Sequence, residues 1–123
     1  MKVAIPRLGE EVAPCFGYCS TMAIFAVDGD RVVDQLDFPL RSREPFDRVR
    51  LLREQRVDTI ICGGVQDIFE SALKANGIHV ISWVSGNVDD LLRLYLKGQL
   101  VARSQAAAGG GGGCGPEGRE PRW

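Results

Sequence analysis

The sequence holds a single histidine, His79, among 123 residues, and aromatic residues make up only 7% of it. With nothing to bring His79 against a cysteine, a Cys–His hydrolase has no support. Charge of one sign is also missing: the formal net charge is −1 and the pI is about 5.8. Basic and acidic residues are mixed along the chain with no long run of either sign, which argues against a nucleic-acid partner. No stretch approaches the roughly 20 apolar residues of a membrane span. Met1 to Pro6 enters an expected strand directly, lacking the apolar run of a signal peptide, so a cytoplasmic location is expected. That first strand carries no acid between Val3 and Ile5, which argues against the clustered carboxylates of a two-metal nuclease.

What is present is sulfur. Four cysteines in a reducing compartment read as thiols rather than as a disulfide framework. Cys15 and Cys19 are followed by no second pair at zinc-finger spacing, so structural zinc is not expected. Cys15 lies in a Pro/Gly-flanked loop, Val12-Ala13-Pro14-Cys15-Phe16-Gly17, just after the first apolar run. Cys62 ends another apolar run before Gly63-Gly64, and Cys114 sits in a Gly-rich tail. Ligands in parallel α/β sheets gather where strands end. Cys15, Cys62 and Cys114 are therefore candidate ligands for a metal or metal–sulfur species. Each has a plainer reading: a loop thiol, a small core hydrophobe and an unselected tail residue. Cys19 is read as filling space.

Hydrophobic patterning gives the order β-β-β-α-β-α-β-α. Residues 2–5 form a strand ended by Pro6 and Gly9, and residues 22–27 and 31–38 flank the turn Asp28-Gly29-Asp30 as a hairpin. From Pro45 the period becomes helical, with Phe46, Val49 and Leu52 on one face. Thr59 to Cys62 reads as a strand covered on both sides. A helix follows from about Gln66 to Ala75 and is stopped by Asn76-Gly77. Ile78 to Trp83 is the last strand, and Asn87 caps a final helix ending at Lys97-Gly98. A five-stranded mixed α/β sheet with flanking helices is expected over residues 1–101. Residues 102–123, with five consecutive glycines and Cys114, are expected to form a flexible arm. The G-x-G-x-x-G at Gly110, Gly112 and Gly115 has no strand before it or helix after it, so it is not a dinucleotide fingerprint.

Gly63-Gly64 and Asn87 open helices whose free N–H groups favour an anion, although both also make ordinary turns. Gly17, Gly63, Gly64 and Asn87 are thus candidate cluster-cradling positions. Trp83 could cover such a site or pack beside it, and Arg7 could offset its charge or be solvated.

These residues resemble one family. The opening Met1 to Pro6, the Val12-x-Pro14-x-Phe16-Gly17 loop, Cys62-Gly63-Gly64, Ala75-Asn76-Gly77-Ile78-x-Val80 and Val88-Asp89-Asp90-Leu91 with Tyr95-x-x-Gly98-x-Leu100 occur together. In order and spacing they resemble the dinitrogenase iron–molybdenum cofactor biosynthesis family, of the NifX, NafY and NifB carboxy-terminal type. The resemblance implies a ribonuclease-H-like fold that binds iron–sulfur or molybdenum-containing clusters, in some relatives a molybdenum–copper sulfide, and hands them on. Some relatives carry a His before the Phe-Gly of the first loop, where this chain has Cys15, a thiolate suited to iron or copper.

The expectation is a non-enzymatic carrier of a metal–sulfur cluster, served by donor and acceptor proteins and present as a monomer or weak dimer. A regulatory or interaction module of the same fold that binds no cluster is the alternative.

Overall fold

The apolar runs and the helical periods become a single mixed sheet with helices on both faces. The computed structural model describes residues 1–40 and 44–99. In chain order these are β1 (Lys2–Leu8), β2 (Glu11–Val12), β3 (Thr21–Asp28), β4 (Arg31–Pro39), α1 (Pro45–Glu54), β5 (Thr59–Ile61), α2 (Asp67–Ala75), β6 (His79–Ile81) and α3 (Val88–Leu96). The sheet runs β4-β3-β1-β5-β6, with β2 paired to β1. The β1–β3 and β3–β4 pairs are antiparallel, whereas β5 lies parallel to both β1 and β6. The expected tail, residues 102–123, lies outside the described residues.

Two strand expectations need correction. The sheet has six strands, not five. The additional one, β2, is two residues folded back on the end of β1, Arg7 opposite Val12 and Leu8 opposite Glu11. An alternation that short leaves no periodic trace. β1 also runs through Pro6 instead of ending there. Lys2 O accepts from Asp58 N at 2.9 Å on the β5 side, while Arg7 O accepts from Ser20 N at 3.2 Å on the β3 side. Even-numbered residues of β1 therefore turn their amides toward β5. The β1–β5 ladder extends only to Ala4, so the missing proline donor falls beyond that ladder, where Pro6 O accepts from Ala13 N at 2.9 Å.

Alternation divides the core. Ala4, Ile24, Ile60 and Val80 face α1 and α2, where they pack with Leu52 and Leu73. Val3, Ile5, Phe25, Ile61 and Ile81 face α3, against Val88, Leu91 and Leu92. Burial on both sides explains why β5 reads as a continuous apolar run. The β3–β4 hairpin turns at Gly29, whose φ of +66° is open to glycine at little cost. Asn87 caps α3 as expected, its side chain accepting from Asp89 N at 2.9 Å and Asp90 N at 3.2 Å.

Candidate functional site

β1, β5 and β6 are parallel, so their carboxyl ends lie together and their following loops meet in one rim. Backbone hydrogen bonds stitch these loops to one another. Phe16 N donates to Gly64 O at 2.8 Å and Gly64 N to Pro14 O at 2.6 Å, forming a parallel bridge between Cys15 and Gly64. Trp83 N donates to Gly63 O at 2.9 Å, and Val12 N to Gly86 O at 2.9 Å. Val88 N reaches Glu10 O at 3.0 Å. The loop bearing Cys15 is thus held as firmly as a strand, although its Pro/Gly composition suggests freedom.

Gly63 makes this closeness feasible. A Cβ there would stand 2.5 Å from the carbonyl oxygens of Ala13 and Pro14. Both Gly63 and Gly64 are buried. The expected role of Gly64 as a donor to a ligand is therefore corrected: its N–H is engaged by Pro14. Asn87 lies on the same rim, its side-chain oxygen closing the first turn of α3. Gly17 remains half-buried within the Cys15 loop. Trp83 is half-buried on the same rim with φ of +62°, a conformation that a bulky side chain adopts only when its surroundings impose it. The bond from its N–H to Gly63 O is one such constraint.

The cysteines separate. Cys15 is half-buried on the rim and is disulfide-bonded, against the expectation of a free thiol. Cys19 and Cys62 carry free thiols, and Cys114 lies outside the described residues. Cys62 is fully buried among Ala4, Phe16, Ile60 and Val65. Burial pushes its thiol up, and Glu70 and Cys19 push it further, so it stays protonated. Its placement on the rim is corrected: Ile60 and Cys62 share the strand parity that points under α1 and α2. Burial also raises Cys19, partly offset by a hydrogen bond from Arg48 and by that residue's charge. Its Sγ donates to Phe16 O at 3.6 Å, so Cys19 braces the Cys15 loop. Among the described residues no three His, Cys, Asp or Glu side chains converge as a metal cage.

Two features of the rim escaped sequence reasoning. Tyr18, bridged through its backbone to Cys15, is 75% exposed. A large aromatic in a Pro/Gly loop was the available signal. The second is charge. Segments 8–20, 62–69 and 82–90 contain Glu10, Glu11, Asp67, Asp89 and Asp90 but no lysine or arginine. All five carboxylate residues are exposed, and Arg7 reaches Glu10 at 3.4 Å from the adjoining strand. His79 is exposed at the opposite, amino-terminal end of β6.

A family model described as dinitrogenase iron–molybdenum cofactor matches residues 1–98, spanning β1, the Cys15 loop and α3. The chain belongs to that family. Members of the dinitrogenase iron–molybdenum cofactor family are concerned with biosynthesis of this cofactor. Solved structures share the fold. PH0822 superposes with a TM-score of 0.77 at 20% identity, covering 83% of this chain and 94% of that one. A proposed dinitrogenase of Methanocaldococcus jannaschii gives 0.70 at 21% identity, covering 85% and 95%. The apo form of the orange protein of Desulfovibrio gigas gives 0.68 at 21% identity, covering 84% and 92%. No curated protein sequence matches the chain. No helix among the described residues is long and apolar enough to cross a membrane.

Proposed function

We propose that this member of the family is a non-enzymatic carrier that binds a metal–sulfur cluster, of iron–molybdenum cofactor type or a precursor of it, and delivers it during cofactor assembly. The observation that carries the reading is Cys15, a half-buried cysteine on a rim whose backbone is fixed from three sides. Thiolate is a soft ligand suited to iron, copper and their sulfides. Ligation through it requires the reduced form of Cys15. Few-point attachment suits a cargo that must leave again, and a closed cage of thiolates would not. The surrounding carboxylates act in the same direction by repelling an anionic sulfide cluster. Cys114 is the second thiol this reading retains, whereas Cys62 is left as a core residue. We also read the sheet as ribonuclease-H-like; in support, an antiparallel hairpin flanks β1 on one side and two parallel strands on the other.

The test is anaerobic titration of the reduced full chain with iron–sulfur and molybdenum–sulfur clusters, followed by visible absorption and metal analysis. Stoichiometric uptake is expected for the parent and for Cys62→Ala, with loss in Cys15→Ser. Undiminished uptake by Cys15→Ser would sink the proposal. Truncation after Ala102 tests Cys114 in the same assay. The burial of Cys62 is what favours the second reading, an interaction module without cargo, and no uptake by the parent would select it.

A further inference from the structure

Charge is segregated in this molecule despite the small net value. Residues 44–56 hold four arginines against Glu44, Asp47 and Glu54, a segment of +1 in a chain of −1. Most of that segment is α1, which packs beside α2 on the face away from α3. Between α1 and α2 runs a groove of about 230 Å³, lined by Phe46, Val49, Arg50, Arg53, Ala72 and Asn76. Its floor is apolar. Val49 is buried, and Ala72 is too small to fill the space opposite it. Phe46 forms one wall, 41% exposed, with its ring edge-on to Phe69 at 4.9 Å between centroids.

The polar wall is cationic. Phe46, Arg50 and Arg53 stand at i, i+4 and i+7 on one stripe of α1. Arg50 bonds Asp47 at 3.0 Å but keeps 58% of its side chain exposed. Arg53 is exposed, with no carboxylate in salt-bridge reach among the described residues. The two guanidinium-bearing positions are separated by about 4.5 Å along the helix axis, the rise of three residues. Two carboxylates three or four residues apart on another helix have the same separation. The Asn76 amide nitrogen is engaged by Ala72 O at 2.8 Å, which fixes that side chain as part of the wall.

We infer that the α1–α2 groove docks an acidic amphipathic helix of a partner protein. One apolar side chain of the partner would settle over Val49 and Ala72 against Phe46, while its flanking carboxylates meet Arg50 and Arg53. This is helix-in-groove recognition with charge fixing the register. It does not depend on cargo binding, because the groove lies outside the Cys15 rim.

The test uses the reduced full chain and two synthetic capped helical peptides. One carries leucines on one face flanked by glutamates, and the other has lysine in place of every glutamate. Binding is followed by calorimetry at low and high salt, and by amide chemical shifts. The acidic peptide is expected to bind saturably and to weaken with salt, with shifts confined to α1 and α2. Arg50→Gln/Arg53→Glu should weaken it at least tenfold and Phe46→Ala several-fold, with thermal unfolding of the exposed-site double variant close to that of the parent. Four results would each overturn the inference: no saturable binding, equal binding of the lysine peptide, binding indifferent to the double variant, or shifts confined to the Cys15 rim.

Discussion

Gly63 does at residue scale what the rim requires at every larger scale. The backbone of Ala13 and Pro14 fills the space where a Cβ would stand, so the neighbours that an added methyl group would meet are carbonyl oxygens, not side chains that can turn aside. Gly63→Ala should therefore cost about 3 kcal/mol, the upper end for overpacking, read as a lower urea midpoint at unchanged slope. Gly29→Ala, which meets nothing within 4 Å, should cost only the strain of its positive φ, about 1 kcal/mol. Equal losses in the two variants would show that the close approach does not matter. Cys62 provides a second residue-scale test. In the unfolded chain its thiol ionises near the ordinary cysteine value of 9.0, whereas burial keeps it protonated in the folded state. Above that pH the unfolded state has released a proton that the folded state retains, so stability falls as pH rises. The slope is about 1.4 kcal/mol per pH unit for each such thiol. Cys62→Ala should lower stability at neutral pH by about 1 kcal/mol but flatten the alkaline decline relative to the parent. Identical slopes above pH 9 would contradict the burial argument. The side on which Cys62 lies was in principle legible, since strand alternation from Ile60 and Ile61 returns it beneath the helices. Its attractive position at a strand end hid that parity.

At the scale of elements, helix starts were the most readable features and were unequal in quality. Asn87 closes α3 with bonds to Asp89 N and Asp90 N, so Asn87→Ala should cost about 1 kcal/mol. Gln66, at the equivalent position of α2, has the extended backbone of a cap but no side-chain cap bond. Gln66→Ser should therefore add stability, by up to about 1 kcal/mol, and urea melts of the two variants would move in opposite directions. The helices could be located from sequence because their stop and start residues act locally. The hairpin could be located for the same reason, with Gly29 in the turn. Features set by contact between distant segments could not. β2 exists because residues 11–12 find β1, and the continuation of β1 through Pro6 depends on where β5 happens to end. The Cys15 loop was recognised from its residues, but its rigidity comes from Gly64, far along the chain.

Over the whole molecule, the balance of charge conceals a division. The carboxyl ends of β1, β5 and β6 are acidic, whereas Arg50 and Arg53 give α1 a basic stripe. Counting charges along the sequence yields near neutrality, and only the parallel order of β1, β5 and β6 gathers the acids into one rim. The same scale governs association. β4 is an edge strand of nine residues, and an unprotected edge invites pairing with another copy. Leu40 N donates to Ser20 O at 3.0 Å, so Phe38, Leu36 and Asp34 also turn their amides toward β3. Gln35, Asp37 and Pro39 turn outward. The Gln35 amide is taken by the carboxylate of Asp34 at 2.9 Å, and Pro39 has no amide to offer. Those two devices leave Asp37 as the outward donor along this stretch, with its own charge beside it. Asp34→Val/Pro39→Val should restore a continuous row of donors and add β-branched side chains. Sedimentation velocity over a range of concentrations should then show association in the double variant at concentrations where the parent does not associate. A double variant that sediments like the parent at every concentration would show that something other than Asp34 and Pro39 protects this edge.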